Sequence, residues 1–367
     1  MTENFSCAAT GGGTGGHVIP ALNICEELKK RFRDLRIIYI GANGKIEERL
    51  SKSAGYTFCN VRVSFPQRGL SLKNLILPFV AFIGIIQGIN HLRTHRIRFV
   101  IGTGGYSAWP ALAAAWLLGK PYFLHESNAY PGLVTRLMAG RAKKIFIGYE
   151  AAAGFLKANP ENIIISGNPV KNLNVDCSQA DVRRELGIDP DRKTILITGG
   201  SGGALTINKV TGRVKSELIE RGYNLIWQVG KHHEGSINIP EKHKQRLIIS
   251  EFFDHEKMLK AYKASDVVVA RCGAMTLAEL ASFEKPAVLI PFPYSTGGHQ
   301  VANGRAVEKA GAAKLILNKD LTGETLMIAL EKLTEAETNT RMSLEMKKLA
   351  TPNAAKIIGD EIFRALA

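Results

Sequence analysis

The feature that most restricts what this chain can fold into is a glycine-dense loop that occurs twice, each time between an apolar run and a helix-like stretch. The first, Gly11-Gly12-Gly13-Thr14-Gly15-Gly16-His17, follows Phe5–Thr10, and the second, Gly199-Gly200-Ser201-Gly202-Gly203, follows Thr194–Thr198. A backbone that cradles an anion must adopt positive φ and let the ligand approach without a Cβ in the way, and glycine meets both demands. The helix behind such a loop adds unpaired N–H groups and the positive end of its dipole. Apolar runs continue after each loop. Arg36–Ile40, Phe99–Gly102, Tyr122–His125 and Lys144–Ile147 follow the first, with a helix read from about Pro20 to Phe32. Asn224–Val229, Leu247–Ser250, Val267–Ala270 and Ala287–Ile290 follow the second. Alternation of this kind builds βα units and parallel sheets covered on both faces. The expected fold is α/β with two Rossmann-like domains, residues 1–167 and 168–348, joined near Gly167–Lys171. A helix over 349–367 is expected to pack back on the first domain. Ligands of such sheets bind at the carboxyl ends of the strands.

The length of 367 residues suits two domains. Lys and Arg number 48 against 33 Asp and Glu, a formal charge of +15, which favours anionic partners. The basic residues are scattered rather than interleaved with aromatics, so no nucleic acid partner is expected. The five cysteines are dispersed and form no CxxC pair, so neither a disulfide framework nor a metal motif is expected, and a reducing cytoplasm fits. Met1-Thr2-Glu3-Asn4 does not read as a secretory leader.

The first loop satisfies GxGxxG, yet a nicotinamide site also wants an acidic residue closing the next strand, and that strand ends Tyr39-Ile40-Gly41. No cofactor is therefore expected. Gly102-Thr103-Gly104-Gly105-Tyr106 is a further loop of this type in the same half, either a tight turn or a second phosphate cradle. The later loop also matches GxSxG, with Asp266 and His299 following in triad order. Hydrolases built on that elbow lack a second glycine-loop domain upstream, which favours a phosphate-binding turn. Asp189-Pro190-Asp191 has the DxD form of a metal-binding transferase but reads as a proline turn.

Several motifs occur in a fixed order: GGGTGGHVIPAL at 11–22, GTGGYSAWPAL at 102–112, LHESNAYPGL at 124–133, SGNPVK at 166–171, ITGGSGGALTIN at 197–208, ARCGAMTLAEL at 270–280, and Pro291-Phe292 through HQVANG, ending at Gly304. In these the chain resembles, over nearly its full length, the MurG-type N-acetylglucosaminyltransferases that form lipid II. The resemblance implies a GT-B fold, two Rossmann-like domains with parallel sheets facing across a cleft. It implies inverting transfer from UDP-N-acetylglucosamine to a lipid-diphosphate acceptor at the cytoplasmic face of the membrane; the helices behind Ser201 and near Ala274 can supply fixed dipoles for the diphosphate, so the transfer is expected to be metal-independent. The donor contacts it implies are Thr14, Gly15, Gly16, Asn128, Lys171, Ser201, Phe253, the run Ala274, Met275, Thr276, Leu277, Ala278 and Glu279, and Gln300. Gly13, Gly102, Gly104, Gly105 and Tyr106 are the expected cradle for the acceptor diphosphate. Glu279 suits a ribose diol, because one carboxylate accepts two hydroxyl hydrogens. Three positions depart from the family: Lys171 replaces Arg, Cys272 replaces Ser, and Trp109 is bulkier than usual.

His17 is the first candidate for the general base, since an imidazole titrates near neutrality, with His125 and Glu126 behind it. The alternative functions are a UDP-N-acetylglucosamine epimerase of similar fold and a non-catalytic nucleotide-sugar subunit. Finally, Leu75–Ile86 is an unbroken apolar run, too short to span a bilayer and interrupted by Pro78. It is either a core helix or a face that docks on an anionic membrane, flanked by Arg68 and Lys73 on one side and Arg93, Arg96 and Arg98 on the other.

Overall fold

A computed structural model describes residues 5–64, 76–171, 175–200, 202–231 and 245–366. The chain forms two compact units, Met1–Lys171 with Thr351–Ala367, and Asn172–Ala350.

The first unit is built on β1 (Ser6–Thr10), β2 (Arg36–Gly41), β3 (Thr57–Asn60), β4 (Phe99–Gly102), β5 (Tyr122–Glu126), β6 (Lys144–Ile147) and β7 (Ile163–Ile165). All pair in parallel, in the order β3-β2-β1-β4-β5-β6-β7. Strand side chains alternate between faces, so the central strands feed two separate cores. Ala8, Ile38, Val100, Leu124 and Ile145 pack on one face, with Leu92 and Leu112 from the covering helices. Cys7, Ala9, Tyr39, Phe99, Phe123 and Phe146 pack on the other, with Val18, Ile24 and Leu28 of helix Gly15–Arg31 and Ile358 and Ile362 of helix Ala354–Leu366. The Arg31 guanidinium binds Asp360 at 2.7 Å across those two helices.

Helix Gly15–Arg31 starts earlier than the sequence indicates, directly out of the glycine loop, with Pro20 inside it. Pro20 has no N–H for the Gly16 carbonyl one turn back, so the helix forgoes one hydrogen bond and continues.

Helix Leu77–Thr94 settles which residues of the apolar run are core. Its inward face is glycine: a Cβ on Gly84 would lie 2.3 Å from the Arg62 carbonyl oxygen, and one on Gly88 2.9 Å from that of Pro110. The close packing this allows against helix Trp109–Leu117 turns Ile76, Phe79 and Phe82 outward, at 57%, 72% and 64% exposure. Among the described residues no helix is long and apolar enough to cross a membrane. Arg68, Lys73 and Leu75 lie outside the described residues.

The second unit repeats the plan with β8 (Thr194–Thr198), β9 (Asn224–Gln228), β10 (Leu247–Ser250), β11 (Val267–Ala270), β12 (Ala287–Leu289) and β13 (Ala313–Leu315), ordered β10-β9-β8-β11-β12-β13 and again parallel. Three strands were not legible as apolar runs, namely β3, β7 and β13. All three are sheet edges of three or four residues.

In both sheets the strand order reverses beside the first strand, between β1 and β4 and between β8 and β11. That reversal is where doubly wound sheets open a crevice for ligand. The four segments leaving those strands are the two glycine loops of the first unit, the loop at Gly199, and Arg271-Cys272-Gly273.

Candidate functional site

In the first unit Thr10 of β1 pairs with Gly102 of β4, so the two glycine loops emerge side by side. The Gly12 amide donates to the Gly104 carbonyl at 3.3 Å. Gly104 and Gly105 have φ of 95° and 81°, and a Cβ on Gly105 would lie 2.2 Å from the Gly12 oxygen. Only glycine fits there, for backbone angle and for space together.

Two supports under the first loop carry no sequence signature. Tyr39, fully buried, donates its hydroxyl to the Gly11 carbonyl at 2.6 Å. Glu47, also fully buried, accepts from the Gly13 amide at 3.1 Å and from the Ala42 amide at 3.4 Å. The Gly13 amide, an expected diphosphate donor, is thus already engaged by a carboxylate. Glu47→Ala should leave both amides without a partner and destabilise the fold by about 1–3 kcal/mol, read as a lowered urea midpoint at unchanged slope.

His17 sits in the first turn of helix Gly15–Arg31. Its Nδ1 lies 3.0 Å from the Thr103 carbonyl oxygen. A carbonyl only accepts, so Nδ1 carries a proton, and in the neutral tautomer the lone pair is on Nε2. Thr103, buried in the second loop, returns the contact by donating its hydroxyl to the His17 carbonyl at 2.6 Å.

His125 and Glu126 end β5 and are both buried. His125 Nε2 lies 3.3 Å from the Gly167 carbonyl oxygen and Nδ1 lies 3.4 Å from the Ser127 hydroxyl. Burial pushes its imidazole down to about 4, so the ring is neutral at physiological pH. Both Glu126 oxygens are taken: Oε1 accepts from the Asn128 amide and side-chain nitrogen at 3.0 Å each, and Oε2 from the Gly132 amide at 2.9 Å. The carboxylate shapes the loop that carries Asn128. Lys171 is exposed and paired with Glu26 at 2.9 Å. Beside the second loop, Tyr106 and Trp109 join Leu77, Ala81, Leu133 and Leu137 around an open, mainly apolar pocket.

In the second unit Gly200 and Gly203 have φ of 82° and 77°, and a Cβ on Gly203 would lie 2.3 Å from the Val229 carbonyl oxygen. The Gly200 amide donates to the Thr198 hydroxyl at 3.1 Å. Ser201 lies outside the described residues. Helix Leu205–Glu220 follows this loop, and helix Ala274–Ser282 follows β11. The latter carries Ala274, Met275, Thr276, Leu277, Ala278 and Glu279. Tyr262 donates its hydroxyl to Glu279 Oε2 at 3.0 Å, while Oε1 makes no hydrogen bond among the described residues. Desolvation pushes the Glu279 carboxyl up to about 7, against the lowering effect of Tyr262. Phe253 is buried, its amide bonded to Gln228 Oε1 at 2.8 Å. Gln300 accepts the Phe292 amide on Oε1 at 2.8 Å, which orients its NH₂ group as a donor. Arg271, which sequence reasoning missed, braces the ends of β11 and β12 by donating to the Ile290 and Pro291 carbonyls and to Asn318 Oδ1. Asp189, of the DxD-like triplet, accepts from the Asp191 amide at 3.0 Å and from Arg192 at 2.8 Å, which closes a turn.

Residues 7–147 match the glycosyltransferase family 28 N-terminal domain and residues 194–358 the C-terminal domain of that family. The chain is 33% identical to the UDP-N-acetylglucosamine–N-acetylmuramyl-(pentapeptide) pyrophosphoryl-undecaprenol N-acetylglucosamine transferase of Flavobacterium psychrophilum, over 99% of this chain and 98% of that one. The crystal structure of Acinetobacter baumannii MurG matches with a TM-score of 0.77 at 26% identity, covering 98% of this chain and 99% of that one. A putative UDP-N-acetylglucosamine 2-epimerase from Listeria monocytogenes matches with a TM-score of 0.67 at 14% identity, over 100% of this chain and 96% of its own, a likeness of fold alone. Two α/β units, each on one parallel sheet, are the GT-B plan of these transferases. The chain belongs to glycosyltransferase family 28, among the pyrophosphoryl-undecaprenol N-acetylglucosamine transferases.

Proposed function

We propose that the chain transfers N-acetylglucosamine from UDP-N-acetylglucosamine to the muramoyl 4-hydroxyl of lipid I, with inversion at the anomeric carbon, giving lipid II and UDP. The observation that carries the chemistry is His17, whose Nδ1 proton is held on the Thr103 carbonyl, so that in the neutral ring Nε2 is the nitrogen left to act as a base. The acceptor oxygen attacks the anomeric carbon, its proton passes to Nε2, and the bond to the departing diphosphate oxygen breaks. Glu126 stands behind His17 as a base, because three amide hydrogens already fall on its two oxygens and hold it in the loop that carries Asn128. His125, buried and neutral, acts as a brace.

The second unit takes the donor. Glu279 accepts the ribose hydroxyls on its open oxygen, Gln300 donates to the sugar, and the uracil lies at Phe253. The first turns of helices Leu205–Glu220 and Ala274–Ser282 direct N–H groups and dipoles at the diphosphate, where charge grows as UDP leaves. For Thr14, Gly15, Gly16, Asn128 and Lys171, donor contact rests on the family resemblance alone. No divalent ion is needed for the transfer, since Asp189 is committed to its turn, and a chelator should leave the rate unchanged.

The acceptor belongs to the first unit. Its diphosphate lies on Gly102, Gly104, Gly105 and Tyr106, with Gly13 giving space and not its engaged amide. Its lipid lies along the apolar pocket beside Tyr106, and the outward side chains Ile76, Phe79 and Phe82 dip into the cytoplasmic leaflet of an anionic membrane. Exposed Arg93, Arg96 and Arg98 each add about 1 kcal/mol of attraction there. Ile76→Ser, Phe79→Ser and Phe82→Ser together should weaken binding to anionic vesicles, which stays salt-sensitive, while leaving the melting temperature and donor binding unchanged. Unfolding of that variant would contradict the exposed placement.

The deciding experiment supplies UDP-N-acetylglucosamine with a lipid I analogue and follows disaccharide-lipid and UDP, which should appear in equal amounts. Conversion of UDP-N-acetylglucosamine with no acceptor present would establish the epimerase instead.

A further inference from the structure

Away from the glycine loops, three side chains distant in sequence meet at the edge of the first unit's sheet. Cys59 lies on the edge strand β3, and His91 and His95 lie one turn apart where helix Leu77–Thr94 ends. One ligating atom from each falls within 4.8 Å of the other two. Cys59 Sγ stands 3.5 Å from His95 Nε2. That matches the sulfur-to-nitrogen edge of a tetrahedron centred about 2.3 Å from sulfur and about 2.0–2.1 Å from nitrogen, the bond lengths of zinc. His91 Nε2 donates to the Asn60 carbonyl at 2.9 Å, which leaves the lone pair on Nδ1. A ring N–H held by a backbone carbonyl is the outer support that metal-bound histidines use. Ser6, buried, donates to the carbonyls of His95 at 3.1 Å and Arg96 at 2.8 Å and pins the turn that carries His95. Cys59 is buried, while both histidines keep partial exposure and leave an ion a way in.

We propose that Cys59, His91 and His95 bind one zinc-class divalent cation, its fourth position open to water, as a clip between β3 and helix Leu77–Thr94. A thiolate with two imidazoles selects a borderline-soft metal, whereas magnesium and calcium take oxygen. The thiol proton leaves to solvent as the sulfur–metal bond forms. Burial holds the Cys59 thiol above its ordinary value, so the ion must drive that ionisation. Burial, Arg36 and His91 hold His95 below its own. Arg36 is the opposing charge, its Nη2 3.5 Å from His95 Nδ1. A guanidinium only donates, so it favours the ring proton on Nε2. Coordination at Nε2 requires that proton on Nδ1 and Arg36, which is exposed, turned out to water.

The test uses the full chain, reduced and stripped with chelator, with cobalt(II) and zinc chloride as probes. One equivalent of cobalt(II) should produce thiolate-to-cobalt charge-transfer absorption and tetrahedral d–d bands, both displaced by zinc. Cys59→Ser should lose the charge-transfer band. It should also weaken zinc binding, in competition with a chromophoric chelator, by more than the about 10–100-fold cost of losing an outer partner. Cys177→Ser, at an exposed cysteine, should change neither. Arg36→Gln should tighten binding. Zinc should raise the melting temperature of the wild type and not that of Cys59→Ser, whose fold is checked by circular dichroism. A wild type that shows no charge-transfer band at one equivalent, or a band that persists in Cys59→Ser, overturns the proposal and leaves a thiol–imidazole hydrogen bond.

Discussion

His17→Ala should lower turnover by about 10²–10⁴-fold while the affinity for UDP-N-acetylglucosamine stays within about twofold of wild type. The size follows from the role: a positioned base contributes only when the proton moves, so its removal leaves ground-state binding in place. The Thr103 carbonyl makes the expectation sharper, because it holds the ring in the one tautomer that presents Nε2 as an acceptor. His17→Gln offers an informative companion. An amide NH₂ can keep the hydrogen bond to Thr103, and with it the loop geometry, yet the side chain cannot take a proton at neutral pH. Both variants should therefore be slow, with melting temperatures close to wild type for the glutamine. Recovery of turnover in His17→Gln, or an equal loss of donor affinity and rate in His17→Ala, would make the residue a structural one.

Glu279→Ala should weaken donor binding by about 1.5–3 kcal/mol, or about 10–150-fold, the worth of a hydrogen bond to a charged group. The raised carboxyl adds a pH signature. With its value near 7 in the folded protein, Glu279 is largely protonated below that pH and cannot accept two hydroxyl hydrogens. Affinity for UDP-N-acetylglucosamine should fall toward tenfold per unit as the pH drops below about 7, and Glu279→Gln should be flat over the same range. The donor is a diphosphate diester with no group titrating there, so the slope reports the protein. Stability of the unliganded chain runs the other way. The folded value lies above that of a free carboxyl, about 4.3, so the folded state holds a proton that the unfolded state has released. The stabilisation from that proton is complete below about 4.3 and lost as the pH rises through about 7. The urea-measured stability of wild type relative to Glu279→Gln should decline over that interval, and a pH-independent difference would contradict the assignment.

What the sequence reveals of this fold follows the range of the interactions involved. Central strands buried on both faces, such as Cys7-Ala8-Ala9 and Ile195-Leu196-Ile197, leave a continuous apolar run, and glycines forced to positive φ leave the loops beside them. Both signals are local. The supports of the site are not. Glu47 lies 34 residues from the amide it holds, and His17 and Thr103 are separated by 86. Tyr262 and Glu279 come from different helices. No spacing rule joins such pairs. Cys59, His91 and His95 show the same limit, since a cysteine on a strand and two histidines on a helix form no motif until the sheet edge and the helix end coincide. The apolar run over Leu75–Ile86 was ambiguous for a different reason. Hydrophobicity does not say which face packs, and here the glycines face in.

Helix Ala354–Leu366 follows the whole second unit in sequence, yet its Ile358 and Ile362 complete the core behind helix Gly15–Arg31. In the order of synthesis, the second unit is an insertion within the first. Domains fold largely as units while the chain emerges from the ribosome. The second unit can close on its own residues, whereas the first waits for a segment made after the second is finished. Until that helix docks, the helix that begins at the first glycine loop and carries His17 lacks one of its packing partners. A nascent or clipped chain ending near Ala350 would thus have a finished second unit and an incompletely packed helix behind the first glycine loop. Shortening the chain at its far end would be felt at its beginning.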